Sequence, residues 1–229
     1  MKTLGLIGGM SWESTALYYS LLNQAIRKRC GALHSAKIIL HSVDFQEIEI
    51  LQRENRWQEA GEILAEIAVS LEREGADCIL LCTNTMHKVA PQIEAAVSTP
   101  FLHLADATAD TIVERGETCV GLLGTSFTME EEFYRARLQQ RGLEVLVPDA
   151  ELRAEINRII FDELCCGKIV DASRDIYLRA IDLFRERSAQ AVILGCTEIG
   201  MLVAEDVSSL PLIDTTVVHV EAAVSFVLD

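Results

Sequence analysis

Residues 5–11 read GLIGGMS, and residues 121–126 read GLLGTS. Each copy is a short apolar run that ends in a glycine turn, and the two copies begin 116 positions apart. A second pair, ILLCT at 79–83 and VILGCT at 192–197, places its cysteines, Cys82 and Cys196, 114 positions apart. This repeat predicts two similar halves of about 110 residues, each long enough to enclose its own core.

The repeat also predicts how the halves are arranged. We expect them to pack about a pseudo-twofold axis, with equivalent strand ends facing each other across an active-site cleft. A third repeated segment, PFLHLAD at 100–106 and PLID at 211–214, is followed by a helical segment in both halves. The chain is therefore expected to leave the first half near residue 100 and to return near residue 214. The predicted subdomains are 1–99 with 214–229, and 100–213.

Strand-like and helical segments alternate along the whole chain. The strand candidates are short and apolar, as in strands covered on both faces, and the alternation predicts an α/β fold with parallel sheets. Ser11 and Thr128 are the predicted caps of the helices that follow them. The predicted strands are 3–8, 36–43, 77–82, 100–104, 118–123, 144–148, 190–195 and 211–213. The predicted helices are 12–30, 57–74, 86–96, 106–115, 129–141, 151–166, 171–187 and 215–228.

The composition and net charge of the chain argue against some classes of binding partner. Half of the residues are hydrophobic and 24% are charged, which is ordinary for a soluble globular protein. The formal charge of −15 argues against nucleic acid or an anionic membrane surface, although it leaves a small anionic substrate possible. We find no apolar run long enough to span a membrane and no signal-peptide pattern, so the predicted location is the cytoplasm.

The seven cysteines predict free thiols. They are odd in number and unevenly spaced, no CxxC pair occurs, and the histidines do not cluster near them, so neither disulfides nor a zinc site is expected. Cys196 ends an apolar strand and precedes Thr197-Glu198, a junction at which a helix N-terminus can activate a thiol. The remaining cysteines, apart from Cys82, are expected to be core or incidental: Cys30, Cys78, Cys119, Cys165 and Cys166.

Two strand-to-helix turns are candidate anion sites. The turn at 8–15, GGMSWEST, brings backbone amides to a helix N-terminus, and the turn at 124–128, GTSFT, repeats it with hydroxyl side chains. Neither turn has a nucleotide-binding fingerprint. A plain tight turn is the alternative interpretation for the first one.

These motifs, with TNTMH at 83–87 and GCTE at 195–198, resemble the aspartate/glutamate racemase superfamily. The resemblance covers essentially the whole chain in order and length. It is closest to the bacterial L-aspartate/glutamate-specific racemase branch. It implies two α/β subdomains, a homodimer, a small acidic amino acid as substrate, no cofactor, and a two-base mechanism with one thiol from each half.

The first catalytic position departs from that pattern. The superfamily usually has Cys-Asn-Thr-x-His there. If the alignment is anchored on Asn84-Thr85, Thr83 stands in the place of the cysteine. The internal repeat instead pairs Cys82 with Cys196. A one-residue slip at a strand end turns a side chain to the opposite face, so only one of Cys82 and Thr83 can face the substrate. The Asn-Thr anchor is the more specific, so we favour Thr83.

The resulting hypothesis is that Cys196 removes the α-proton of L-aspartate or L-glutamate and Thr83 returns a proton. The threonine hydroxyl is too weak an acid to be deprotonated before the reaction, so it cannot serve as the base. Enantiomers should then react with different kinetics. Other residues are expected to hold the substrate, some as donors to its carboxylate and some by resemblance: Met10, Gln52, Asn84, Thr85, Thr125, Thr128 and Thr197. Arg53, Arg56 and Arg158 are expected to be mainly surface residues.

The role of His87 and the function itself stay open from the sequence alone. His87 either orients a loop or is a structural histidine. Glu198 stands where glutamate racemases tend to have a histidine, so their proton relay does not carry over. The alternative functions are a decarboxylase or maleate-isomerase-like enzyme of the same fold, which needs one thiol, and an amino-acid-binding protein without activity.

Overall fold

The computed structural model describes residues 1–229 and divides them into two units. Unit 1 contains Met1–Leu104 and His219–Asp229, and unit 2 contains Ala105–Val218. Each unit has its own parallel sheet covered by helices. The predicted α/β class with two subdomains is therefore confirmed. No helix in either unit has the length and apolarity needed to cross a membrane.

Unit 1 has a three-stranded sheet in the order β2-β1-β3. Gly5 of the central strand pairs in register with Ile39 on one side and Ile79 on the other. The strands are β1 (Thr3–Gly8), β2 (Lys37–Ser42) and β3 (Cys78–Leu81). The helices are α1 (Trp12–Cys30), α2 (Phe45–Arg53), α3 (Trp57–Arg73), a 3-10 helix (Thr85–Val89) and α4 (Ala90–Ala96), together with the C-terminal part of α11 (Thr215–Leu228).

Unit 2 has a four-stranded sheet in the order β5-β4-β6-β7. Its central strand β4 pairs with β6 in parallel, with Gly124 opposite Gly195. The strands are β4 (Cys119–Gly124), β5 (Glu144–Leu146), β6 (Ala191–Gly195) and β7 (Leu212–Asp214). The helices are α5 (Leu104–Glu114), α6 (Ser126–Glu130), α7 (Glu132–Gln140), α8 (Ala150–Asp162), α9 (Asp171–Glu186) and α10 (Ile199–Leu202), with 3-10 turns at Leu164–Cys166 and Glu205–Val207.

The predicted strand at 100–104 is wrong in extent. The structure has a single parallel bridge there, between Ile79 and Phe101, with hydrogen bonds from the Ile79 amide to Pro100 and from the Leu102 amide to Ile79. Proline has no amide to donate, and helix α5 already begins at Leu104, so there is no room for a longer ladder.

The predicted helix at 129–141 is also wrong at its start. The cap is Thr125, whose hydroxyl accepts from the Thr128 amide, and Thr128 itself lies inside α6. Glu131, in an extended conformation, separates α6 from α7. The predicted helix at 86–96 begins as a 3-10 helix, and α2 and α10 are not in the prediction. Helix α2 has a clear signal, because Asp44 caps it by accepting from the Gln46 amide.

Two hydrophobic clusters in unit 1 use alternate residues of the central strands. One cluster contains Ile7, Ile79 and Leu81. The other contains Leu6 and Leu80, as well as Cys82, the residue that directly follows β3. This two-residue alternation is the normal period of a strand, and it continues to the position at which the polar loop begins.

Candidate functional site

Cys82 lies in the core of unit 1. Its side chain is fully buried, in the cluster that includes Leu6, Leu80 and Tyr18. The Cys82 amide donates to the Ile7 carbonyl (2.9 Å), and its carbonyl accepts from the Ser14 hydroxyl (3.0 Å). Burial raises the pKa of the Cys82 thiol far above its ordinary value. This thiol is therefore a packed core group.

Thr83 follows Cys82 at the start of the polar loop and is 8% exposed. Its amide donates to the Leu81 carbonyl (2.9 Å), and its carbonyl lies 2.8 Å from His87 Nδ1. His87 Nε2 accepts from the Leu104 amide (3.2 Å), so the ring proton must be on Nδ1, which donates to Thr83. His87 therefore fixes the backbone of Thr83, and the structure supports the loop-orienting alternative for this histidine.

His87 belongs to a buried group of histidines. Its ring centroid is 4.5 Å from that of His103 and 6.0 Å from that of His219. His219 Nε2 donates to the Leu102 carbonyl (2.9 Å), and its Nδ1 accepts from the Tyr18 hydroxyl (2.9 Å). Burial lowers the pKa of His219 to about 4. The loop that carries Thr83 thus rests on packed rings, of which His219 is neutral at physiological pH.

The other predicted residues of unit 1 are all largely buried. Asn84 and Thr85 continue from Thr83 into the 3-10 helix. Met10 packs within the hydrophobic cluster of Ile7, and the Gln52 side-chain amide points at the Met86 sulfur (2.8 Å). Asn84 and Thr85 are therefore neighbours of Thr83 in the loop, whereas Met10 has apolar contacts and Gln52 donates a hydrogen bond to the Met86 sulfur.

The glycine turn after β1 is tight because the backbone at Gly9 leaves no space for a side chain. Gly9 has φ +94°, and a Cβ there would lie 2.2 Å from the Val43 carbonyl oxygen. Its amide donates to the Thr15 hydroxyl (2.8 Å). Ser11 caps α1 by accepting from the Ser14 amide (3.2 Å), as predicted. These contacts support the tight-turn interpretation, because the Gly9 amide is used within the turn.

Unit 2 contains the second cysteine loop, at the end of β6. Cys196 follows Gly195, and its Sγ donates to Glu198 Oε2 at 3.0 Å. The Thr197 hydroxyl donates to the same oxygen at 2.6 Å. Glu198 is only 5% exposed. Burial, followed by the negative charge of Glu198, raises the pKa of the Cys196 thiol well above its ordinary value.

The second glycine turn, after β4, brings two predicted residues together. The hydroxyl groups of Thr125 and Thr128 are 3.1 Å apart, and both side chains are buried. The adjacent Ser126 amide donates to Asn157 Oδ1 (2.8 Å). Within unit 2 the structure therefore pairs Thr125 with Thr128, and it brings the side chains of Thr197 and Cys196 to one carboxylate oxygen of Glu198.

The three arginines already have carboxylate partners within the protein. Arg158 donates to Glu163 (3.0 Å), and Arg56 contacts both Glu54 and Glu59. Arg53 is largely exposed and lies 4.0 Å from Glu49. These contacts agree with their prediction as surface residues. No group of three or more histidine, cysteine, aspartate or glutamate side chains in the chain is arranged to hold a metal ion.

Sequence reasoning missed the contact between Cys196 and Glu198. The signal that could have found it is the acidic residue two positions after the cysteine. Ser14 was also missed, although it joins α1 to the carbonyl of Cys82.

Comparison with known proteins identifies the relatives of this chain. The Asp/Glu/hydantoin racemase family model matches residues 7–223. The broad-specificity amino-acid racemase RacX of Bacillus subtilis is 26% identical over 97% of this chain and 96% of its own length. A Yersinia pestis protein classed as an Asp/Glu racemase superposes with a TM-score of 0.94 at 53% identity, over all of both chains. An aspartate racemase homologue from Pyrococcus horikoshii superposes with a TM-score of 0.87 at 33% identity, also over all of both chains.

Proposed function

This chain belongs to the Asp/Glu/hydantoin racemase family and is an amino acid racemase, and we propose that its substrates are the acidic amino acids aspartate and glutamate. We propose further that it converts the L to the D form with Cys196 as the base and Thr83 as the proton donor. The observation that carries this assignment is the contrast between the two repeated loops. The cysteine of unit 1, Cys82, is packed in the core, whereas Cys196 lies in a polar junction.

The chemistry follows from the two groups. Racemisation removes the α-proton on one face of the substrate and returns a proton on the other. A thiolate at Cys196 is basic enough to take the α-proton once the carbanion is stabilised, and cysteine is among the side chains that act as general bases. The Thr83 hydroxyl cannot rest as an alkoxide, but it can pass a proton from water to a carbanion.

The carbanion needs its carboxylate held by donors that are already oriented. In this proposal Asn84 and Thr85 supply amides and side chains from the loop that follows Thr83. Thr125 and Thr128 supply hydroxyl groups, and Thr197, whose hydroxyl proton is already donated to Glu198, supplies its backbone amide. Buried polar groups of this kind are oriented by the fold, as the hydroxyl pair of Thr125 and Thr128 is. Met10 and Gln52 are assigned to the lining of the substrate site by the family resemblance.

The experiment that tests the function is α-proton exchange in D₂O, followed by NMR, with aspartate and glutamate as separate substrates. Cys196→Ser is the test variant and Cys82→Ser is its matched control. We expect exchange and loss of optical rotation with the wild type and the control, and neither with Cys196→Ser. Release of CO₂ from a substrate without exchange would instead identify a decarboxylase. Binding without either reaction would identify an amino-acid-binding protein.

A further inference from the structure

We propose that a groove beside helix α1 is a binding site for a small organic anion, a carboxylate or a phosphate that is attached to an apolar or aromatic group. This α1 groove is lined by Tyr19, Asn23 and Arg27 of α1, and by Leu33 and His34 of the loop that leads to β2. Its volume is about 380 Å³, which is within the range of small-molecule sites. The proposed racemase reaction uses none of these residues, so the groove is a second site.

The groove lies in the longest stretch of the chain without an acidic residue. Between Glu13 and Asp44 the sequence has no aspartate or glutamate, although the chain contains 35 acidic residues and has a formal charge of −15. The same stretch contains three consecutive basic residues at 27–29, and a fourth at Lys37. A small anion can therefore approach this face without meeting a carboxylate, whereas a large polyanion would also meet the acidic remainder of the protein.

Arg27 is the basic residue that lines the groove. It is exposed and forms no ion pair within the protein, whereas Arg29 is paired with Glu221 of α11. Basic residues in a last helical turn also offset the helix dipole, so the charge of Arg27 alone does not indicate a ligand. Its guanidinium, however, borders a cavity and can bind a carboxylate or a phosphate through two N–H groups at once.

Tyr19 and Leu33 add apolar surface to the groove. Tyr19 is 54% exposed and Leu33 is 90% exposed. Tyr19, Asn23 and Arg27 are spaced four residues apart, so they form one stripe along α1. Helical side chains lean toward the N-terminus of their helix, which brings Arg27 toward Tyr19. A ligand whose anionic end binds Arg27 can therefore pack its apolar part against the tyrosine ring or Leu33.

The loop wall of the groove is held against the helix by hydrogen bonds. Asn23 Oδ1 accepts from the Ala36 amide (3.0 Å), which ties the end of the loop to the middle of α1. The Gly31 amide donates to the Arg27 carbonyl (2.8 Å), and the His34 amide donates to the Gly31 carbonyl (3.2 Å). A site whose walls are already fixed binds a ligand at a lower entropic cost.

A second cavity of unit 1 lacks this combination of charge and apolar surface. It lies along α3 and has a volume of about 520 Å³. Arg73 lines it, but Glu62 and Glu66 line it as well. An anion in that cavity would meet two carboxylates, so the larger cavity is not an equivalent site.

The binding test uses 3-phenylpropionate and phenyl phosphate as probes, with 3-phenylpropionamide as the uncharged counterpart. Calorimetric titration of the wild-type protein gives the Kd, and the shifts of backbone amide signals in NMR spectra locate the site. We expect a Kd of about 1 mM for at least one anion, the strength typical of a ligand with about ten heavy atoms in an open groove. The shifts should be centred on residues 19–35, and the uncharged amide should bind about tenfold more weakly.

Arg27→Gln is the test variant and Lys28→Gln is its matched control. Lys28 carries the same charge in the same helical turn but does not line the groove. We expect Arg27→Gln to weaken the binding of the anions about tenfold, because it removes a charged donor pair. Tyr19→Ala should weaken binding about threefold through the loss of ring contact. Lys28→Gln should change the Kd less than about twofold.

Three results would overturn the proposal. These are equal weakening by Arg27→Gln and Lys28→Gln, equal binding of the amide and the anions, and NMR shifts that lie elsewhere or are absent. Tighter binding of 3-phenylpropionate would assign the site to carboxylates, and tighter binding of phenyl phosphate would assign it to phosphates; either result supports the proposal. Arg27→Gln should keep wild-type α-proton exchange, so this site and the proposed racemase function fail in separate measurements.

Discussion

Cys82 and Thr83 are adjacent in the chain, and the Cys82 side chain lies in the apolar core of unit 1 at the point where Thr83 begins the polar loop. Cys82 is sealed among Leu6, Leu80 and Tyr18, whereas Thr83 begins the polar loop and has its carbonyl held by His87. The strand alternation that packs Leu80 into one cluster and Leu81 into the other carries Cys82 to the core face. A hydroxyl, and not a thiol, is therefore the reactive side chain that unit 1 offers in our account.

The first prediction concerns the Cys82 side chain. Cys82→Ala should change kcat less than twofold, because the thiol is packed in the core and its burial keeps it protonated. The same substitution should lower the free energy of unfolding by about 1 kcal/mol, since it removes one buried heavy atom and leaves a small cavity. Urea denaturation and initial rates measure the two effects on the same preparation. A variant with normal stability and no activity would show that Cys82 is the second catalytic group.

The second prediction concerns the Thr83 hydroxyl. Thr83→Val has nearly the same shape but cannot pass a proton. It should abolish inversion while Cys196 continues to exchange the α-proton of the L substrate with retention of configuration. The measurement is NMR in D₂O combined with chiral chromatography. Thr83→Ser is the matched control and should keep inversion. Normal inversion by Thr83→Val would remove this residue from the mechanism.

The third prediction follows from adding a thiol at the same place. In Thr83→Cys both positions carry a thiol, so either position has a group that can act as a base or as an acid. The ratio of the kcat values from the L and the D enantiomer should then move toward one. Steady-state rates in both directions measure this ratio, and Cys82→Ala combined with Thr83→Cys excludes a contribution from the native neighbour. An unchanged ratio would mean that position 83 does not set the direction.

The fourth prediction is a pH dependence of stability caused by His219. Its pKa is about 4 in the folded protein and about 6.5 when unfolded, so the unfolded state binds the proton more readily. The stabilisation is complete above pH 6.5 and is lost as the pH falls toward 4, by about 3 kcal/mol over that window.

Urea denaturation at intervals between pH 7 and pH 4 measures this loss. His219→Gln should be less stable at neutral pH but should lose less stability across the window. The exposed His34 provides the control, since His34→Gln should retain the wild-type slope. Equal slopes for all three proteins would show that His219 is protonated equally in both states.

The sequence predicts the sheet centres well because their signals are local. The repeated apolar runs give β1 its observed bounds, and they place β4 and β6 within one residue of the prediction. The residues around Phe101 could not be predicted in the same way, because a strand there depends on where the next helix begins. The acidic run at 130–132 predicts a helix that begins just after Thr128. The turn after β4 is shorter than this prediction requires, so Thr125 caps α6 and Thr128 lies inside the helix.

The features of the candidate site also differ in how far the sequence alone predicts them. The choice of Thr83 over Cys82 comes from a motif, together with the strand alternation that lets only one of the two side chains face the substrate, and it stays a prediction. The structure shows that the Cys82 side chain lies in the core of unit 1. The sequence places an acidic residue two positions after Cys196, but the contact itself depends on the backbone turn that bends residue 198 back toward the sulfur.

The most direct test of the central claim is the full initial-rate curve in both directions with the wild-type enzyme and aspartate or glutamate. The equilibrium constant between enantiomers is one, so kcat/KM must be equal in both directions whatever the mechanism. With one thiol and one hydroxyl, we predict that kcat from the L form exceeds kcat from the D form about 10-fold or more, with the same ratio between the KM values. Equal kcat values in the two directions would demonstrate two equally competent bases and would contradict the account.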